Sequence, residues 1–256
     1  MPHTASYTSL QPRARWSKML RQALCCLLLI RTNALKAPNA SKTLATRARG
    51  AGAVVAVSGA ALVAVSIDVN TLHVVAPSID DAARHWASNH AAGNENSLGR
   101  VLSDIAPGLG VPCAAASLAL VVRRGADALR VVAPLGIGFG AFVQGFSGVL
   151  KDATQRLRPD PLHHSTYSFP SSHTASATFL AGAFLAVLLP ALLDDDEEDF
   201  WAWTPQTITS VASITALTAA GRILTESHFL SDTLAGAALG IGALGATALV
   251  SSRSNG

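Results

Sequence analysis

Three groups of polar residues in this chain combine types and spacings suited to chemistry on a phosphate. The first is Lys151-Asp152-Ala153-Thr154-Gln155-Arg156-Leu157-Arg158-Pro159. On a continuous helix Lys151 and Arg158 fall within about 20° of two full turns and share a face, while Arg156 points away. Two convergent cations suit a phosphate dianion, and Arg adds a planar fork. The second group is Phe169-Pro170-Ser171-Ser172-His173-Thr174. Ser171 is placed to cap a helix whose free first-turn N–H groups attract an anion. His173 in that turn is within reach of the anion and can protonate a leaving oxygen. The third group runs from Gly221-Arg222 to Ser227-His228 and Asp232. On a helix His228 and Asp232, four apart, have meeting side chains. The carboxylate would then fix the tautomer and free the other ring nitrogen as a nucleophile. Arg222 adds a third cation. Each group alone also has a plain structural explanation: snorkelling of cations at an interface, helix capping, or a neutral hydrogen-bonded His.

The elements that must position these groups are apolar. Half of the 256 residues are hydrophobic and 14% are charged, against about a quarter charged in soluble domains. Six stretches approach the length needed to cross a bilayer, at about residues 50–67, 105–122, 131–150, 172–193, 207–224 and 233–250. The fifth is the most polar, through Thr207, Thr209, Ser210, Ser213, Thr215 and Thr218. A helix facing other helices tolerates such residues. Gly136 and Gly140 in the third stretch, and Gly236 and Gly240 in the sixth, have the spacing of close helix packing. Arg123, Arg124 and Arg130 between the second and third stretches place that loop on the cytoplasmic or stromal side. All three polar groups then lie on the opposite face. The acidic run at 194–199 shares the Arg-rich side and reads as a solvated loop.

Together, Lys-x6-Arg-Pro, Pro-Ser-x-His and Arg-x5-His-x3-Asp, in that order, resemble the type 2 phosphatidic acid phosphatase superfamily over about residues 50–256. The resemblance implies an all-α, polytopic, six-helix transmembrane bundle with its active site at one membrane face. It implies a metal-independent phosphatase for a lipid phosphomonoester such as phosphatidic acid, working through a phosphohistidine with no cofactor. Lys151, Arg158 and Arg222 would hold the phosphate, with Ser171 and the backbone at Ser172 completing the cradle. His228 would be the nucleophile, Asp232 its orienter and His173 the general acid. Two positions depart from the family: Ser172 stands where Gly is commonest, and Gly221 where Ser usually precedes the Arg. The latter implies a missing phosphate hydrogen bond. His163 and His164 read as a solvated loop, and Glu226 is placed to neutralise Arg222 in the empty site.

Residues 1–49 read as a separate targeting segment ahead of the 50–256 domain. Residues 1–50 hold nine Lys and Arg and no acid, and the remainder holds ten basic and sixteen acidic residues. The basic isoelectric point, about 9.0, is therefore no sign of a nucleic-acid surface. Basic residues precede a short apolar run at 23–30, followed by an Ala-, Ser-, Thr- and Arg-rich stretch. With the imperfect Asn33-Ala34-Leu35-Lys36-Ala37-Pro38 resemblance to a bipartite cleavage region, this points to a plastid membrane; otherwise the address is endomembrane. Cys25, Cys26 and Cys113 make neither a disulfide framework nor a zinc pattern. The expected partners are a lipid phosphate and the bilayer, with no obligate protein partner. Competing expectations are a polyprenyl diphosphate phosphatase, a soluble vanadium haloperoxidase, which six spans disfavour, and a catalytically silent lipid-binding or transport protein.

Overall fold

The computed structural model describes residues 43–90, 93, 96–193, 201 and 203–253, the first seven and last two of these as backbone. The bulk of the expected targeting segment, with Cys25 and Cys26, and the acidic run at 194–199 lie outside the described residues. Among those described the chain is helical, with no strand. The helices are α1 (Thr43–Ile67), α2 (Ala76–Ser88), α3 (Ser97–Ser103), α4 (Ile105–Arg124) and α5 (Leu129–Ile137), then α6 (Ser147–Thr154), α7 (Ser172–Gly182), α8 (Leu189–Leu193), α9 (Pro205–Leu224) and α10 (Leu230–Arg253). Wide π turns carry α5 into α6 across Gly138–Phe146 and α7 into α8 across Ala183–Leu188. The boundary expected near residue 50 falls inside α1.

Local sequence explains where the helices start. Asn96, Ser171 and Thr204 each cap a helix by accepting a first-turn backbone N–H: Gly99 N at 2.7 Å, Thr174 N at 3.4 Å and Thr207 N at 3.1 Å. Pro205 occupies the first position of α9, where a missing N–H costs nothing.

Among the described residues, five helical segments are long and apolar enough to cross a membrane: Gly50–Leu72, Ser97–Thr154, Ser172–Leu193, Pro205–Leu224 and Leu230–Ser251. The second, 58 residues long, is two passes. Cys113 Sγ donates to Leu180 O, and Arg123 donates to Leu192 O, so α4 runs parallel to α7–α8. Gln144 bonds Ser176 and Ser147 bonds Ser172, so α5–α6 runs antiparallel to them. The chain therefore reverses between α4 and α5, at Gly125, whose φ of 58° suits a residue without a Cβ. Six passes result, as the six apolar stretches predict.

The central pass begins with α7. Two thirds of the most apolar window of Ser172–Leu193 is buried, against 11% for Gly50–Leu72 at the periphery. Phe179, Val187 and Leu188 of the central pass pack in the same core as Leu120, Val143 and Phe169. Large apolar side chains point outward, Val57, Val111, Leu118, Val122 and Ile137 among them. In water such a belt would be a liability, and in lipid it is the solvated surface.

Glycines set how close the helices come. A Cβ at Gly236 would collide with Ser171 O, and one at Gly240 would lie 2.6 Å from Ala175 O, so α10 rests directly on α7 as its small-residue spacing predicts. The expected Gly136–Gly140 pair does not pack this way: a Cβ at either would meet nothing within 4 Å. Gly138 between them is the contact residue, seated against Thr247 and Phe179. The polar α9 also behaves in two ways. Thr215 bonds Thr178 of α7 at 3.0 Å, whereas outward-facing Thr209 returns its hydroxyl to Pro205 O at 2.8 Å.

Candidate active site

The three polar groups meet at the end of the bundle opposite Arg123. Lys151 closes the last turn of α6, and its Nζ donates to the carbonyls of Tyr167 (3.0 Å) and Ser168 (3.4 Å). Arg158 is reached by a different route from the one helical phase predicts. The helix ends at Thr154, and Gln155 turns the chain with φ 49°. Ser168 N then bonds Arg156 O at 2.8 Å and closes the loop that carries Arg158 back over the site. Arg158 Nε and Nη2 donate to Thr166 O and Oγ1, both at 2.8 Å, and Nη1 donates to Ser227 O at 2.9 Å. The loop is tied to the α9–α10 turn a second time, by Asp160 N to Glu226 O at 3.3 Å.

His228 sits in that turn, ahead of α10, with 2% of its surface exposed. It therefore does not share a helix with Asp232, as an i, i+4 reading expects. Its backbone N–H bonds Arg222 O at 3.2 Å, which holds the ring beneath the last turn of α9. Its Nε2 lies 3.3 Å from Arg158 Nη1. Arg has no acceptor, so Nε2 must present its lone pair to this contact and the proton resides on Nδ1. Nδ1 in turn faces Asp232 Oδ2 at 3.6 Å, too long for a hydrogen bond, and has no other partner among the described residues. Burial, then the fields of Arg222, Arg158 and Lys151, hold the imidazole well below its ordinary value of 6.5. A neutral ring whose unprotonated nitrogen faces a cluster of cations is the state a nucleophile needs.

The rest of the predicted set is in place around it. Arg222 lies in the last turn of α9, and its buried Nε has no partner among the described residues. The carboxylate whose field reaches Arg222 is Asp104, and no ion pair joins it to Glu226 among the described residues. His173, in the first turn of α7, feels the fields of Arg222, Arg158 and Lys151, and itself acts on His228. Ser171 is fully buried; its N–H donates to Asp232 O at 2.9 Å and its hydroxyl is used for the cap. The Ser172 hydroxyl is paired with Ser147 at 2.7 Å. Gly221 has a packing reason to depart from Ser. A Cβ there would lie 2.6 Å from Ser103 N and 2.8 Å from Gly99 O, because α3 crosses α9 at this point.

The structure adds residues that spacing did not single out. Arg156 does not point away: Nη1 reaches Asp232 Oδ1 at 2.6 Å and Ser231 Oγ at 2.7 Å, and Nη2 reaches Asp80 Oδ2 at 2.7 Å. Its guanidinium also stacks 4.2 Å over the Phe229 ring. Asp80 comes from α2, where no motif marks it. His164 is half-buried rather than solvated, its Nε2 3.2 Å from Ser227 Oγ. Burial and then the field of Arg158 lower its pKa. His163 remains exposed, paired with Asp160 at 2.6 Å.

Residues 133–255 match the family model of the PAP2 superfamily. That match takes in every residue of the three polar groups, so residues 133–255 are identified as a PAP2 superfamily region. Its fold is also similar to that of the first transmembrane PAP2 type phosphatidylglycerolphosphate phosphatase, from Bacillus subtilis. The TM-score is 0.53 at 22% identity, covering 73% of this chain and 92% of the other. No curated protein matches the chain.

Proposed function

We propose that this protein is a membrane phosphatase that hydrolyses a lipid phosphomonoester, such as phosphatidic acid to diacylglycerol, through a phosphohistidine on His228. The observation that carries the reading is the neutral His228 with its Nε2 lone pair turned toward Arg158 within a cluster of three cations. The match of residues 133–255 to the PAP2 superfamily and the name of the Bacillus subtilis neighbour support a lipid phosphate as the substrate class.

Lys151, Arg158 and Arg222 hold the phosphate, and the free N–H groups at the start of α7, those of Ser172 and its neighbours, complete the cradle. Arg158 leaves its contacts to Thr166 and Ser227 in favour of phosphate oxygens. His228 Nε2 attacks phosphorus in line. The P–O bond to the lipid breaks, its electron pair stays on the departing alkoxide, and His173 supplies the proton. The phosphorylated ring is cationic, and Asp232 beside Nδ1 offsets that charge. Water then attacks phosphorus, His173 takes the water's proton, and the P–N bond breaks to release inorganic phosphate and neutral His228. Three fixed cations supply the charge stabilisation that Mg²⁺ supplies in many phosphoryl transfers.

The test uses the full chain purified in detergent micelles. Phosphate release from phosphatidic acid should be inhibited by vanadate and unaffected by EDTA, and it should disappear in His228→Ala and in His173→Ala with the protein still folded. Inhibition by EDTA that Mg²⁺ reverses would overturn the mechanism. A polyprenyl diphosphate hydrolysed in preference to phosphatidic acid would move the substrate class, and vanadate-insensitive binding without any phosphate release would make the chain a lipid-binding protein.

A further inference from the structure

Asp232 is wholly buried, yet the ring it should orient is only its second neighbour. Its Oδ1 is held by Arg156 at 2.6 Å and its Oδ2 accepts Phe229 N at 2.9 Å, while His228 Nδ1 stands off at 3.6 Å. Arg156 is in turn shared. Its other nitrogen is bound by Asp80 Oδ2 at 2.7 Å, and Asp80 Oδ1 accepts the backbone N–H of Ser231 at 2.8 Å. Ser231 Oγ closes the ring, donating to Asp80 Oδ2 at 2.7 Å and accepting from Arg156. Asp80 therefore does two things from a separate helix. It caps the first turn of α10, the turn that bears Asp232, and it divides the Arg156 charge between two carboxylates. Only 4% of the Asp80 side chain and none of the Asp232 side chain is exposed, so neither interaction is diluted by water.

We infer that Asp80 and Arg156 are positioning residues for the nucleophile, acting on His228 through Asp232 and making α2 part of the active site. Arg156 places a cation 2.6 Å from a buried carboxylate, which favours its charged form. Asp80 keeps Arg156 from being wholly consumed by that carboxylate, so Asp232 retains negative charge for Nδ1–H as the ring becomes cationic. With Asp80 neutral, Arg156 pairs with Asp232 alone and the forming phosphohistidine loses its counter-charge. The phosphate cradle of Lys151, Arg158 and Arg222 is untouched by this change. The effect falls on the chemical step and not on phosphate binding.

The inference rests on the phosphohistidine reading, and the experiment separates the two. The full chain in micelles is mixed with phosphatidic acid carrying radiolabelled phosphate, quenched with alkali at short times, and assayed for base-stable, acid-labile labelled protein. Wild type should label. Asp80→Asn should label about ten- to a hundredfold more slowly, the order of loss that removing the outer hydrogen-bond partner of a metal-bound His brings. Its KM and its vanadate inhibition should stay within about twofold. Arg156→Gln should be slower still, and Asp80→Asn combined with Arg156→Gln should lose less than the product of the two single losses, since Asp80 acts in part through the Arg. If Asp80→Asn fails to fold, Ser231→Ala removes one side of the same ring, and slower labelling with unchanged vanadate inhibition is then the expected result. Labelling at the wild-type rate in the variants overturns the inference, as does a rate loss matched by lost vanadate inhibition. An unlabelled wild type instead overturns the reading on which it rests.

Discussion

His228 concentrates what the site asks of one residue. The ring must stay neutral while surrounded by positive charge, and burial with three cations enforces that. The same arrangement has a cost in acid. In the unfolded chain this His takes up a proton near its ordinary value of about 6.5, while in the folded protein it takes one only at much lower pH. Below that value the unfolded state binds one more proton than the native state. The contribution of His228 to stability is therefore intact above about pH 6.5 and falls by up to about 1.4 kcal/mol per pH unit below it. Thermal unfolding in detergent between pH 7 and pH 5 should show a smaller loss for His228→Gln than for wild type. An identical loss in both would show that the ring titrates normally in the folded protein. Arg156 teaches the opposite lesson at the same scale. A helical projection sends it away from the site, and a single left-handed residue, Gln155, brings it to Asp232.

At the scale of helices, the closeness of α10 to α7 and of α9 to α3 is set by residues that lack side chains. A methyl group at Gly240 would press on Ala175 O, and one at Gly221 on Ser103 N and Gly99 O. Backbone cannot yield as a side-chain tip can. Gly240→Ala and Gly221→Ser should each cost about 1–3 kcal/mol, the range for overpacking a filled interior. Gly136→Ala and Gly140→Ala should be neutral or gain up to about 1 kcal/mol from helix propensity. Melting temperatures in detergent check the ranking, and Gly221→Ser is the informative case. If it raised phosphate affinity without lowering the melting temperature, the crossing of α3 over α9 would not be the reason for glycine there.

For the whole molecule, the decisive feature is that the two ends of the bundle differ in chemistry. Arg123 and the turn at Gly125 lie at one end with Leu192, and Lys151, Arg158, His173 and His228 gather at the other. The loop with Arg123, Arg124 and Arg130 should face the cytoplasm or stroma by its charge. A cysteine at Ala126 and a cysteine at Ser165, both exposed positions, should then react with a membrane-impermeant maleimide from opposite sides. The Ser165 position should label on the outer or lumenal side, in a background with Cys25 and Cys26 replaced by Ser. Labelling of both from one side would contradict six passes.

Composition and six apolar stretches determine the membrane and the all-α class, and three spaced polar groups mark the candidate set Lys151, Arg158, Ser171, Ser172, His173, Arg222, His228 and Asp232. Spacing and hydropathy are properties of the chain itself, so they are legible without a fold. The reasons for convergence are not. Lys151 and Arg158 meet through a loop rather than a shared helical face, and His228 and Asp232 meet across a turn and a helix start. Gly138 packs where Gly136 and Gly140 do not. Asp80 carries no local mark at all, because its significance lies in Arg156 and Ser231, distant in sequence and joined to it only by tertiary packing. Local pattern identifies the groups that the proposed reaction uses. The second layer that holds those groups in charge and direction is decided by which helices pack together.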